Sequence, residues 1–138
     1  MTDKLSKKRR SWNMQQIRST DTSPELVVRK LTHHLGYRYR LHRKDLPGKP
    51  DLVFPARGKI VFVHGCFWHQ HSSSRCKISR LPKSKTDYWT PKLQRNAERD
   101  RKNQRRLRRL GWRVLVLWEC QIKDLERLAR RIDRFLAV

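Results

Sequence analysis

The sequence predicts one α/β domain, a mixed β-sheet flanked by helices. Three observations carry this: runs of strand length and apolar character stand on both sides of a long polar helical segment. Helix starts and stops are punctuated by Ser-Pro, Thr-Pro and Gly. And 138 residues with 36% hydrophobic content supply one core but not two.

The elements follow in order. Residues 1–10 are a basic arm without hydrophobic periodicity, expected to stay flexible until a partner orders it, and 11–138 make the single domain. Ser23-Pro24-Glu25 starts a helix, with Ser as N-cap, Pro at the first helical position and an acid near the positive end of the dipole. Leu26, Val27, Lys30, Leu31 and Leu35 continue it to Gly36. Tyr37 to Leu41 alternates at period two, as a half-buried strand does, and a turn over Leu46 to Pro50 leads into a strand from Asp51 to Phe54. A second turn, Pro55 to Gly58, delivers the apolar run Lys59 to His64, a central strand. Residues 65–90 hold Ser, Cys, His and aromatic residues without a period and read as a functional loop. Thr90 and Pro91 open a helix that Gly111 stops after Leu110, Trp112 to Trp118 is another buried strand, and Asp124 to Leu136 is an amphipathic helix with Leu125, Leu128, Ile132 and Leu136 on one face.

Charge narrows the partner. Lys and Arg number 35 against 12 for Asp and Glu, a net charge of +23 spread along the chain, so the partner is a polyanion. Nucleic acid leads, because Lys and Arg neutralise phosphates and steer the encounter. A membrane surface is the rival, but no apolar run approaches the roughly 20 residues that span a bilayer, and no apolar segment follows the basic N-terminus as in a signal peptide. The expectation is a cytoplasmic, nucleoid-associated bacterial protein with no membrane partner. Composition alone fits a packaging protein as well as an enzyme, so the chemistry must come from motifs.

Cys66, Cys76 and Cys120 are an odd number, which cannot form a closed disulfide framework, and as reduced thiols they suit a metal. Cys66, His71 and Cys76 share one loop, and Cys120 follows the last strand, giving a Cys₃His set for one structural zinc. Such a loop buries too little apolar area to offset its ordering entropy, and a metal would anchor it. His69 competes with His71 for the fourth position, and spacing does not choose between them.

Asp51 follows a Pro-Gly-Lys-Pro turn beside a strand that ends at Val63-His64. That resembles the metal-binding strand pair of the restriction-endonuclease-like nucleases, where a carboxylate and a strand-edge carbonyl hold Mg²⁺. The second motif of that superfamily, an acid then a lysine on the neighbouring strand, is absent from Ile60 to His64. The resemblance becomes specific at His64-Gly65-Cys66-Phe67-Trp68-His69, which is similar to a signature of the very short patch repair endonucleases, the Vsr type. Leu46-Pro47-Gly48-Lys49-Pro50-Asp51, Asn96-Ala97-Glu98-Arg99-Asp100-Arg101 and Gly111 to Cys120 are similar to that family in the same order, across about residues 11–121.

The resemblance implies a restriction-endonuclease-like fold with a structural zinc and strand-specific, Mg²⁺-dependent nicking 5′ of the thymine in a T:G mismatch. It implies two Mg²⁺ ions on Asp51 with the Val63 carbonyl as a further ligand, His69 as general base oriented by Asp100, and His64 and Glu25 holding waters of the ions or the phosphate. An imidazole with its ordinary pKa of about 6.5 and a carboxylate partner suits that role. It also implies that Phe67 and Trp68 intercalate beside the mismatch while Met14 enters from the other groove, with Trp89, Lys92 and Asn96 near the mismatched bases. A T:G wobble pair is weakly stacked, so opening it costs less than opening a Watson–Crick step. The expected protein is a monomer on double-stranded DNA, with room for mismatch-repair proteins as partners. The alternatives are a restriction-type nuclease of other specificity and a zinc-stabilised DNA-binding protein without catalysis.

Overall fold

The structure, a computed structural model, describes residues 23–71, 76 and 86–137. In chain order these form helix α1 (Ser23–His34), strands β1 (Arg40–Leu41), β2 (Leu52–Phe54) and β3 (Lys59–His64), helix α2 (Thr86–Arg109), strand β4 (Arg113–Trp118) and helix α3 (Leu125–Ala137). The strands make one sheet in the order β1-β2-β3-β4. The first two pairings are antiparallel, joined by turns, and β3 pairs with β4 in parallel. A parallel pair needs a long crossover, and α2 lies in it. The mixed α/β sheet expected from the sequence is thus present.

Side-chain alternation along the strands divides the core in two. Val61 and Val63, with Leu52, Phe54 and Leu117, meet Val28 of α1 and Leu128, Ile132 and Leu136 of α3. Ile60 and Phe62, with Val53, turn the other way and meet Leu107 of α2. With helices on both faces, every residue of β2 and β3 is buried, which explains their unbroken apolar runs. The carboxyl end of α3 is fixed by cations. Lys59 Nζ donates to the carbonyls of Phe135 (2.5 Å) and Leu136 (3.3 Å), and Arg57 also donates to Leu136 (2.9 Å).

Several boundaries differ from expectation, each for a physical reason. The strand expected over Tyr37–Leu41 is only Arg40–Leu41. Tyr37 N–H donates to the Thr32 carbonyl and Gly36 N–H to that of His33, so this stretch closes α1 before pairing can begin. Gly36, at φ 96°, adopts the left-handed backbone that this closure requires. Helix α2 starts at Thr86 and carries Pro91 inside it instead of at its first position. The proline removes one i→i−4 bond, and Trp89, packed on Phe67 and Trp68, holds the turn before it. Asp124 caps α3 from outside, its Oδ1 accepting from Arg127 N at 3.2 Å. The stripe that α1 buries is Glu25, Val28 and Thr32, more than the leucines beside it. That rotation sends an acid inward. The N-terminal arm and Met14 lie outside the described residues.

Candidate active site

Strand pairing gathers the chemistry at one rim of the sheet. Because β1, β2 and β3 alternate in direction and β4 runs with β3, the carboxyl ends of β1, β3 and β4 and the amino end of β2 lie together. His42, Asp51, His64 and Glu119–Gln121 are the residues that strand ends place there.

Asp51 sits where the β2–β3 ladder stops, next to Pro50. Its Oδ2 accepts the Val63 N–H at 2.7 Å, so the carboxylate takes the place of a strand carbonyl. From α1, Glu25 is 1% exposed and accepts from His42 Nε2 at 2.6 Å and from Arg29. His42 Nε2 lies 4.0 Å from Asp51 Oδ1. Burial pushes the Asp51 carboxyl up to about 8, the nearby Glu25 charge adds to this, and the Val63 N–H opposes it. Donor atoms of Glu25, His42 and Asp51 all lie within 4.8 Å of one another. Two acids held this close out of water favour a divalent cation, and their oxygens suit Mg²⁺.

The second cluster follows β3. Gly65 to His71 fold into a tight turn, with His69 N donating to Gly65 O (3.1 Å) and His71 N to Cys66 O (3.0 Å). That turn lays the His69 ring flat on His64, with centroids 3.9 Å apart and planes 7° apart. His69 Nδ1 is 2.5 Å from Asp100 Oδ2 of α2. Burial, and then the neighbouring His69, lower His64 to about 3, so it remains a neutral ring. Its buried Nδ1 has no hydrogen-bond partner among the described residues.

The third cluster brings together Cys66, His71, Cys76 and Cys120, whose ligand atoms also lie within 4.8 Å of one another. Spacing left His69 and His71 level, and the geometry places His71 here. Cys66 Sγ and Cys120 Sγ stand 3.8 and 3.4 Å from His71 Nδ1. A tetrahedral ion with bonds of about 2.0–2.3 Å sets its donors about 3.5–3.8 Å apart, so these four residues fit zinc. None of the three cysteines is in a disulfide. Burial drives the Cys66 thiol up to about 12, a cost that a bound cation reverses by favouring thiolate. Outside the set, Glu119 Oε1 accepts from Cys66 N (3.3 Å) and the Trp118 ring stacks on His71 at 4.3 Å.

Beside these clusters stands an aromatic wall. Phe67, Trp68 and Trp89 meet edge to face with centroids 5.2–5.8 Å apart. Trp68 keeps 44% of its surface exposed, Lys92 Nζ lies 5.9 Å from its ring and Asn96 Nδ2 donates to its carbonyl at 3.4 Å. The wall borders α2, whose basic residues from Lys92 to Arg109 are all exposed.

A family model described as DNA mismatch endonuclease Vsr matches residues 2–75, more than half of the chain. The type II nicking enzyme V.XorIIP of Xanthomonas oryzae pv. oryzae (strain KACC10331 / KXO85) is 54% identical over 136 residues, covering 99% of this chain and 98% of that protein. The chain belongs to the Vsr family. The type II nicking enzyme V.NmeAIP of Neisseria meningitidis (serogroup A / serotype 4A, strain DSM 15465 / Z2491) is 42% identical over 136 residues, covering 99% and 95%. The DNA mismatch endonuclease Vsr of Escherichia coli (strain K12) is 40% identical over 128 residues, covering 93% and 80%. As a Vsr-family protein this chain is a DNA endonuclease, a hydrolase acting on DNA. No helix among the described residues is long and apolar enough to cross a membrane.

Two residues of this Vsr-family site escaped the sequence reading. His42 lies in the basic run Arg40 to Lys44 and shows no motif. Only the register Leu41↔Leu52 places it across from Asp51, its N–H reaching the Asp51 carbonyl at 3.4 Å. Trp118 read as a buried strand residue. In fact its ring joins two clusters, stacked on His71 and edge-on to His64 at 5.1 Å. The matched register of β3 and β4, His64↔Trp118, is the cause.

Proposed function

We propose that this Vsr-family endonuclease nicks one strand of double-stranded DNA 5′ of the thymine in a T:G mismatch, by Mg²⁺-dependent phosphodiester hydrolysis in very short patch repair. The observation that carries the reading is the His69–Asp100 pair, stacked on a neutral His64 at the rim that also holds Asp51. A carboxylate-oriented imidazole beside an acidic cation site is an arrangement suited to activating water.

Asp51, with the Val63 carbonyl, would hold the Mg²⁺ ions, and Glu25 beside it would hold their waters or the phosphate. Bound there, two such ions would supply charge stabilisation to the phosphodiester as it is hydrolysed. His69 donates its Nδ1–H to Asp100, which leaves the Nε2 lone pair to accept the proton of the attacking water. Asp100 then offsets the imidazolium charge, and the His64 ring stacked beneath adds no positive charge to oppose it. His64 Nδ1, with a hydrogen bond to spare, contacts the phosphate or an ordered water. The deciding experiment is Mg²⁺-dependent nicking of a T:G duplex against its T:A counterpart. Selective nicking of the thymine strand is expected. Equal cutting of both duplexes would point to a restriction-type nuclease, and binding without cutting would exclude catalysis.

Cys66, His71, Cys76 and Cys120 would hold a zinc ion with protein donors alone, as in a structural site. One zinc per chain is expected from elemental analysis of purified protein. Cys120→Ser should lose the zinc and lower Tm by about 10 °C. An unchanged Tm with no zinc in either protein would dismiss the assignment.

Phe67 and Trp68 serve as the wedge beside the mismatch, with Met14 from the opposite groove and Trp89, Lys92 and Asn96 near the mismatched bases. Met14 lies outside the described residues; the support for the others is position, since an exposed indole and a basic, amide-bearing helix face stand next to the base cluster. Phe67→Ala and Trp68→Ala should lower the T:G over T:A preference by about tenfold or more each, the 1–3 kcal/mol of a stacking contact. Affinity for T:A duplex should change little. Parallel losses on both duplexes would mean that the aromatics support binding in general and do not sense the mismatch.

A further inference from the structure

We propose that His42 is a direct ligand of the divalent ion at the Glu25–Asp51 locus, and that this site therefore prefers a first-row transition ion such as Mn²⁺ over Mg²⁺. The inference rests on the reading that Asp51 is the ion site. It deepens that reading by saying which ion the site selects.

The donors have coordination spacing. His42 Nε2 lies 2.6 Å from Glu25 Oε2 and 4.0 Å from Asp51 Oδ1, and all three residues offer atoms within 4.8 Å of one another. An ion with bonds of about 2.1 Å sets neighbouring donors about 3 Å apart and opposite donors about 4 Å apart. The longer separation already fits, and the shorter opens slightly when the Nε2 proton is given up to solvent, a neutral ring keeping its proton on Nδ1, and a shared cation replaces the hydrogen bond. The backbone holds the imidazole in place: β1 pairs Leu41 with Leu52, His42 N–H bonds the Asp51 carbonyl, and His42 takes a left-handed turn at φ 44°. A β-unbranched polar residue tolerates that conformation, at a cost that packing must offset.

Charge argues in the same direction. Arg29 shares the Glu25 oxygen with His42, its Nη2 lying 3.4 Å from His42 Nε2. The guanidinium cancels one of the two carboxylate charges, which weakens the site for a hard ion held by electrostatics alone. An imidazole nitrogen adds affinity for Mn²⁺, Fe²⁺ or Co²⁺ that Mg²⁺ gains far less from, since carboxylate, carbonyl and water are what suit Mg²⁺. Burial of Glu25 and the half-burial of His42 and Asp51 keep competing water low.

The test uses zinc-loaded full-length protein with Mn²⁺ and Mg²⁺ as probes. Free Mn²⁺ is counted by its solution spin-resonance signal, Mg²⁺ binding is read by competition, and pulsed spin resonance of the bound Mn²⁺ reports ¹⁴N coupling. Wild type should bind Mn²⁺ at least about tenfold tighter than Mg²⁺ and show nitrogen coupling. His42→Gln should lose both the preference and the coupling while keeping Mg²⁺ affinity, and His69→Ala should keep all three. Equal weakening of Mn²⁺ and Mg²⁺ in His42→Gln would mean that the histidine only orients Glu25, and would overturn the proposal. So would nitrogen coupling that survives in His42→Gln, or its absence from wild type, a readout that holds even where the variant does not fold. Asp51→Asn separates the two levels of inference: if it binds both ions as wild type does, the ion site itself has been misplaced.

Discussion

Asp51→Asn should lower single-turnover nicking of a T:G duplex by at least about a thousandfold, the several kcal/mol of transition-state stabilisation that a divalent ion supplies. Mismatch binding should persist, because below about pH 8 the ion-free side chain is already uncharged and the amide changes little; above it, loss of the carboxylate charge should tighten binding by reducing repulsion of phosphate. The same residue sets a pH dependence whose sign is fixed by its environment. Burial first, then the Glu25 charge, raise the ion-free carboxyl from 3.8 to about 8. Between those values the folded protein holds a proton that the unfolded chain has released, so ion-free stability falls as pH rises through this window. An ion must displace that proton to bind. Mg²⁺ affinity should therefore increase up to about pH 8, and below it calorimetry in buffers of different ionisation heat should register proton release. In Asp51→Asn both effects should vanish. A variant that nicks at near wild-type rate, or Mg²⁺ binding that takes up no pH dependence between 6 and 8, would remove Asp51 from the ion site.

The elements that local physics governs were legible in the sequence. Strand β3 announced itself by an apolar run that only a doubly covered strand sustains, and α3 by leucines and isoleucine at helical spacing. Helix α2 was legible in kind but not in its start, because a tertiary contact of Trp89 with Phe67 and Trp68 outweighs the preference of proline for the first turn. In the site, the resemblance had already paired Asp100 with His69. The stacking of His64 on His69 comes from a backbone turn that no periodicity encodes. Choosing His71 over His69 beside the thiols required that same turn. His42 was invisible because its role depends on strand register and a left-handed backbone, and register is a long-range property.

His69→Ala should reduce the nicking rate at saturating Mg²⁺ by about 10²–10⁴-fold, the usual contribution of a positioned general base. The rate should also lose its rising limb with pH, because that limb reports removal of the proton that keeps the base from acting. Saturating Mg²⁺ matters here: it suppresses the separate pH effect of ion binding at Asp51, so that what remains belongs to proton transfer. Asp100→Asn tests the partner. An amide can still hold the ring through its oxygen at the 2.5 Å contact, but it brings no charge to stabilise the imidazolium. The loss should therefore be smaller than in His69→Ala and should appear in the rate constant, with mismatch affinity unchanged. If His69 were instead a phosphate contact, removing it would weaken DNA binding and leave the shape of the pH profile intact. Single-turnover rates against pH for wild type and both variants, alongside duplex affinity measured without Mg²⁺, distinguish the two roles: a wild-type rising limb in His69→Ala would assign the base to another residue.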